Sequence, residues 1–167
     1  MVIKESMRTF TYLNLYGYLT DAVVVNRLLP AEGYFEAWAG LQREQLELVR
    51  SSFEPVPVLT APYMQHEVVG GEMLDRLSEA VFEGSDPAAI LHSELAQELV
   101  TDNGRATLRV SVPFAEKGEL SLKKIGTEVV VRVGPQKRTI MLPPALAAYS
   151  AGGARFEDGT LEILFEL

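Results

Sequence analysis

The chain has 167 residues, 47% hydrophobic and 23% charged, with a net charge of −8 and no cysteine. That composition excludes disordered and collagen-like chains, disulfide frameworks, thiolate nucleophiles and cysteine-bound zinc. The acidic balance argues against a nucleic-acid partner, whose phosphates need clustered Lys and Arg, and no apolar run reaches the roughly 18 residues that span a bilayer. An N-terminus carrying Lys4, Glu5 and Arg8 does not read as a signal peptide, so a cytoplasmic location without direct membrane insertion is expected.

Ile3, Met7, Phe10 and Leu13 are spaced as one face of a helix over Met1–Tyr18, with Gly17 as its end signal. The run Ala22–Leu29 is then apolar without alternation, as in a strand covered on both faces, and Asn26 interrupts it before Pro30 closes it. Tyr34–Phe53 reads as a long amphipathic helix with Phe35, Trp38, Ala39, Leu46, Val49 and Phe53 in one stripe, broken at Gln42. A short strand follows at Val56–Pro62, where Pro57 marks a first residue or an edge. After a loop to Gly70-Gly71 comes a helix with Met73, Leu74, Leu77 and Val81 on its inner face. Such alternation of helix and strand belongs to an α/β domain with a parallel sheet, here too short to bury both sheet faces.

Glu83–His92 reads as a linker, with Asp86-Pro87 signalling a short helix. Beyond it the period is two: Leu108/Val110/Val112, Leu120/Leu122, Val129/Val131/Val133, Ile140/Leu142 and Leu161/Ile163/Phe165. Turn signals at Asp102-Asn103-Gly104, Glu116-Lys117-Gly118, Gly126, Gly134-Pro135 and Asp158-Gly159 separate these runs. About seven short strands then make a small sandwich. The fold class is therefore α+β: a partial α/β segment over 1–92 and an all-β domain over 93–167.

Chemistry is sparse. No Gly-x-x-x-x-Gly-Lys-Ser/Thr occurs, so no loop cradles phosphates in that manner. His66 reads as a loop histidine, His92 as a linker one, and His66-Glu67 has no nucleophile or third group beside it. No metal site and no catalytic residue is expected. Lys123-Lys124 reads as protection of a sheet edge. Asn26 stands near the C-terminal end of its strand, where ligands of open α/β sheets bind. Its amide donates and accepts together, as the edge of an adenine ring requires; a residue that merely ends the strand through a local turn is the alternative.

Asp21–Pro30, the helix after it, and Pro62–Gly70 together resemble the C-terminal part of the arsenical pump-driving ATPase family, which includes ATPases that target tail-anchored membrane proteins. Ala154–Ile163 is similar to the closing hairpin of the α-crystallin-like domain of small heat shock proteins, and many bacterial members of the ATPase family carry such a domain at their C-terminus. The resemblance implies a P-loop-NTPase-like α/β fragment, with Asn26 as adenine reader and Pro62, Tyr63 and Met64 lining the base site. Glu67 and Gly70 match a Glu-x-x-Gly that shapes the loop. ATP and Mg²⁺ are implied by the family only. The phosphate-binding loop and Mg²⁺ ligands precede this part in the family, and its zinc-bridging Cys-x-x-Cys is missing here. A truncated product, split subunit or expressed fragment is therefore expected: inactive in ATP hydrolysis alone, homo-oligomeric, and paired with a chain bearing the phosphate loop. The alternative is a stand-alone chaperone-like or assembly module acting through its sandwich. An independent enzyme has no constellation of residues to support it.

Overall fold

A computed structural model describes residues 1–102 and 104–167. Contacts divide it into two compact units, Met1–Leu19 with Glu94–Leu167, and Thr20–Ser93.

In the first unit the period-two segments form β3 (Gln97–Asp102), β4 (Arg105–Ser111), β5 (Leu120–Ile125), β6 (Glu128–Val133), β7 (Gln136–Met141), β8 (Ser150–Glu157) and β9 (Thr160–Glu166). They make two antiparallel sheets, ordered β3-β4-β9-β8 and β5-β6-β7. Alternation sends one set of side chains inward. Leu108, Val110, Ile163 and Phe165 of the larger sheet share one buried cluster with Val129, Val131, Val133 and Ile140 of the smaller. Two-residue turns fix the registers. Gly126 and Gly134 take positive φ at the first central position, while Asp158 and Gly159 both take it, as a type I′ turn requires. Of the expected Asp102-Asn103-Gly104 turn, Asn103 lies outside the described residues. Glu116-Lys117-Gly118 leads into a 3₁₀ turn at Lys117–Glu119 rather than a hairpin. Lys123 is exposed on the edge strand β5, and Lys124 donates to Gly126 O at 2.6 Å.

The helix α1 (Val2–Leu15) packs in this strand unit, although by sequence it sits with the α/β segment. Leu15 is fully buried in the strand cluster. The buried Thr11 hydroxyl is shared between Met7 O, at 3.1 Å, and Pro113 O. The inner face thus centres on Met7, Thr11 and Leu15, turned away from the expected Leu13, which is more than a third exposed. Gly17, at φ 76°, ends α1: its N–H donates to Asn14 O and the Tyr18 N–H to Leu13 O, the bond pair of a Schellman motif. Arg138 donates to Leu15 O, placing a cation against the negative end of the helix. Burial there pulls the Arg138 pKa below the ordinary arginine value.

The second unit holds β1 (Val23–Leu28), α2 (Glu36–Phe53, entered by a 3₁₀ turn at Gly33–Phe35), β2 (Val58–Pro62) and α3 (Gly71–Phe82). β1 and β2 pair in parallel. The core is thin: Ala39, Val49, Phe53, Val56 and Ala61 are its buried apolar side chains among the described residues. As expected of a segment too short to bury both sheet faces, β1 is open on one face, with Val24 55% exposed. Two expectations fail because two strands and two helices have too little surface to cover one another: Trp38 is 63% exposed rather than part of the inner stripe, and Leu74 of α3 faces outward. The segment after α3 makes turns, not a short helix. Asp86 accepts locally from the Ala88 N–H at 2.9 Å, while Asp21 accepts from the Leu91 and His92 N–H groups at 2.7 and 2.9 Å.

Candidate functional site

The site forms where the β1–β2 ladder ends. Val23, Val24 and Val25 lie opposite Val58, Leu59 and Thr60, and the next pair is Leu28 with Pro62, so β1 carries an extra residue between Val25 and Leu28. That is a β-bulge, and Asn26 and Arg27 are its residues. Arg27 adopts φ 61°, a left-handed conformation uncommon for a residue with a Cβ. Beyond Pro62 the Tyr63 N–H donates to Leu28 O at 2.8 Å, which carries the start of the 62–70 loop alongside the bulge.

Asn26, Arg27, loop residues 62–68 and Leu77 of α3 together line a cavity of about 500 Å³. The four residues expected at a base site, Asn26, Pro62, Tyr63 and Met64, all line it. Asn26 is exposed to solvent rather than buried in the sheet. The Tyr63 ring is backed by Phe35, with centroids 6.4 Å apart and planes tilted by 51°. At the far end of the loop, Gly70 takes φ 81° and ψ 166°, a conformation almost confined to glycine, immediately before α3 begins. His66 and Glu67, read from sequence as loop residues, line the same cavity, as does Arg27, which sequence reasoning passed over. Gln42 was visible only as the break in the α2 stripe. Its Oε1 accepts from the Leu29 N–H at 2.8 Å, and its Nε2 donates to Arg27 O at 3.3 Å.

The family model described as Anion-transporting ATPase matches residues 1–83, and the model described as HSP20-like domain found in ArsA matches residues 103–165. The chain belongs to the anion-transporting ATPase family. It is 35% identical over 98% of its length to an Aquifex aeolicus protein named "Putative arsenical pump-driving ATPase 1", covering 43% of that protein. It is 34% identical over its whole length to a namesake from Chlorobaculum tepidum, covering 42% of it. The chain therefore spans less than half the length of these relatives. Among solved structures, the small heat shock protein AgsA from Salmonella typhimurium matches 45% of the chain at 19% identity with a TM-score of 0.35, a likeness too loose to carry an argument. Strands β4–β9 of the antiparallel sheets fall, to within one residue, in the segment matched as HSP20-like, β3 precedes it, and the parallel strands lie in the segment matched as ATPase. No helix among the described residues is long and apolar enough to cross a membrane.

An anion-transporting ATPase uses ATP and Mg²⁺, and the two differ in how they fit these residues. Binding pockets for small molecules run to roughly 300–1,000 Å³ with mostly apolar walls and a few polar groups. The cavity has that size, and its lining is mixed: Pro62, Tyr63, Met64, Val68 and Leu77 offer apolar or aromatic surface beside polar Asn26, Arg27, Gln65, His66 and Glu67, so that a flat ring with a polar edge is compatible with it. Among the described residues no group of three or more His, Cys, Asp or Glu side chains is placed to hold a metal ion.

Proposed function

We propose that this chain forms the adenine end of the nucleotide site of an anion-transporting or protein-targeting ATPase. Asn26 reads the edge of the base, and Pro62, Tyr63 and Met64 flank its ring. The observation that supports this reading is that those four residues, from separate segments, line one cavity at the end of a parallel strand pair. Positioning of the phosphates and of Mg²⁺ falls to a partner chain or segment bearing the phosphate loop, and these residues alone do not hydrolyse ATP. The setting is cytoplasmic.

Asn26→Ala is expected to weaken adenosine binding to the 167-residue chain by about tenfold, the value of a lost pair of base-edge hydrogen bonds. A chemical-shift titration measures it, and equal affinity in the two proteins removes Asn26 from the site. ATP turnover by the purified chain would contradict the division of labour.

A second reading, assembly through the strand unit, draws on its sheet edges. β5 and β8 each have one unpaired side, open to a strand of a second copy. Sedimentation is expected to show self-association at micromolar concentration; a clean monomer would rule it out.

A further inference from the structure

We infer that Gln42 is the positioning residue of the base site, acting through the backbone of Arg27; the inference rests on the adenine reading above. In a regular strand, neighbouring side chains point to opposite faces, so Asn26 and Arg27 could not both face one cavity. Both residues line the cavity where the bulge inserts a residue and Arg27 turns left-handed. A bulge leaves backbone groups without ladder partners, and a left-handed arginine needs its surroundings to hold it there. Gln42 supplies both. Its side-chain oxygen takes the Leu29 N–H and its amide nitrogen gives to Arg27 O, so one planar group spans the bend from residue 27 to residue 29.

The placement of Gln42 on α2 fits that task. Ala39, Leu46, Val49 and Phe53 are buried or half-buried at helical spacing, and Gln42, itself half-buried, falls in the same row. An apolar residue there would pack as well but would leave Leu29 N–H and Arg27 O without these partners. One amide orientation satisfies both, since the N–H requires an acceptor and the carbonyl a donor. The Asn26 side chain is thereby aimed by a residue that does not line the cavity.

The test uses the full 167-residue chain with adenosine as probe, followed by ¹⁵N chemical shifts and amide exchange. In Gln42→Leu, the Leu29 amide is expected to lose exchange protection and adenosine affinity to fall about tenfold. Arg27→Gly supplies the control that a merely structural role would not move. Glycine adopts positive φ freely, so adding Gln42→Leu to Arg27→Gly is expected to change adenosine affinity by less than about threefold. Wild-type affinity in Gln42→Leu, or an equally large loss in both backgrounds, overturns the role of Gln42 while leaving the adenine reading intact. A wild-type chain that does not bind adenosine overturns the adenine reading and the positioning role with it.

Discussion

Leu15→Ala is expected to destabilise the strand unit by about 2–5 kcal/mol, the range for truncating a buried leucine whose cavity only partly collapses. Leu15 has no exposed surface and sits in one cluster with Leu108, Val131 and Phe165, all of them also fully buried. Sheet registers held by hairpin ladders cannot easily shift to refill the space, which places the cost away from the low end. Denaturant unfolding followed by amide exchange at β4, β6 and β9 measures it. A loss below about 1 kcal/mol would mean that α1 is only laid over a sandwich that is complete without it.

The second large effect is expected at the β8–β9 turn. Gly159 has φ 71°, and a Cβ added there would lie 3.1 Å from Pro113 Cα, a backbone atom that cannot swing aside. Its carbonyl also accepts from the Val112 N–H at 2.7 Å, tying the turn to the segment after β4. Gly159→Val therefore combines left-handed strain in a β-branched residue with overpacking, each costing about 1–3 kcal/mol. A loss of about 2–6 kcal/mol by thermal or urea melting is expected. Gly104→Ala is the contrast: φ is likewise positive at 78°, but among the described residues no atom beyond its chain neighbours lies within 4 Å of the added Cβ, so mainly strain remains and the loss should be smaller.

The strand half was open to reading because two local signals agree there. Alternation at Val129/Val131/Val133 states which face is buried, and Gly126 and Gly134-Pro135 state where the chain reverses. What α1 packs against was not open to reading. Helical spacing shows that some face is apolar without naming its partner, and polar Thr11 concealed the centre of that face by satisfying its hydroxyl at Pro113 O. The same limit misplaced Trp38, an aromatic at a plausible helical position in a unit with too few elements to cover it. At the candidate site, Asn26 stood out as a polar break in an apolar strand. The bulge did not, since no glycine marks it: Arg27 is held left-handed by a glutamine on another element. Arg27 and Gln42 therefore become recognisable only once the register of β1 and β2 is known.

That α1 is grouped with the strands also governs the order in which this polypeptide can mature. The strand unit is discontinuous in the chain, built from residues 1–19 and 94–167, with residues 20–93 inserted between its two parts. During synthesis, α1 emerges before every strand it packs on, and Leu15 has no burial site until β4, β6 and β9 have followed. Closing that interval costs an entropy that grows only slowly with its length, so the penalty falls more on the rate of folding than on final stability. The inserted segment is anchored at both of its ends, and an inserted segment that has already gained structure shortens the span left to close. Slow or faulty folding of residues 20–93 would thus appear first as a delayed sandwich, in residues that the fault does not touch.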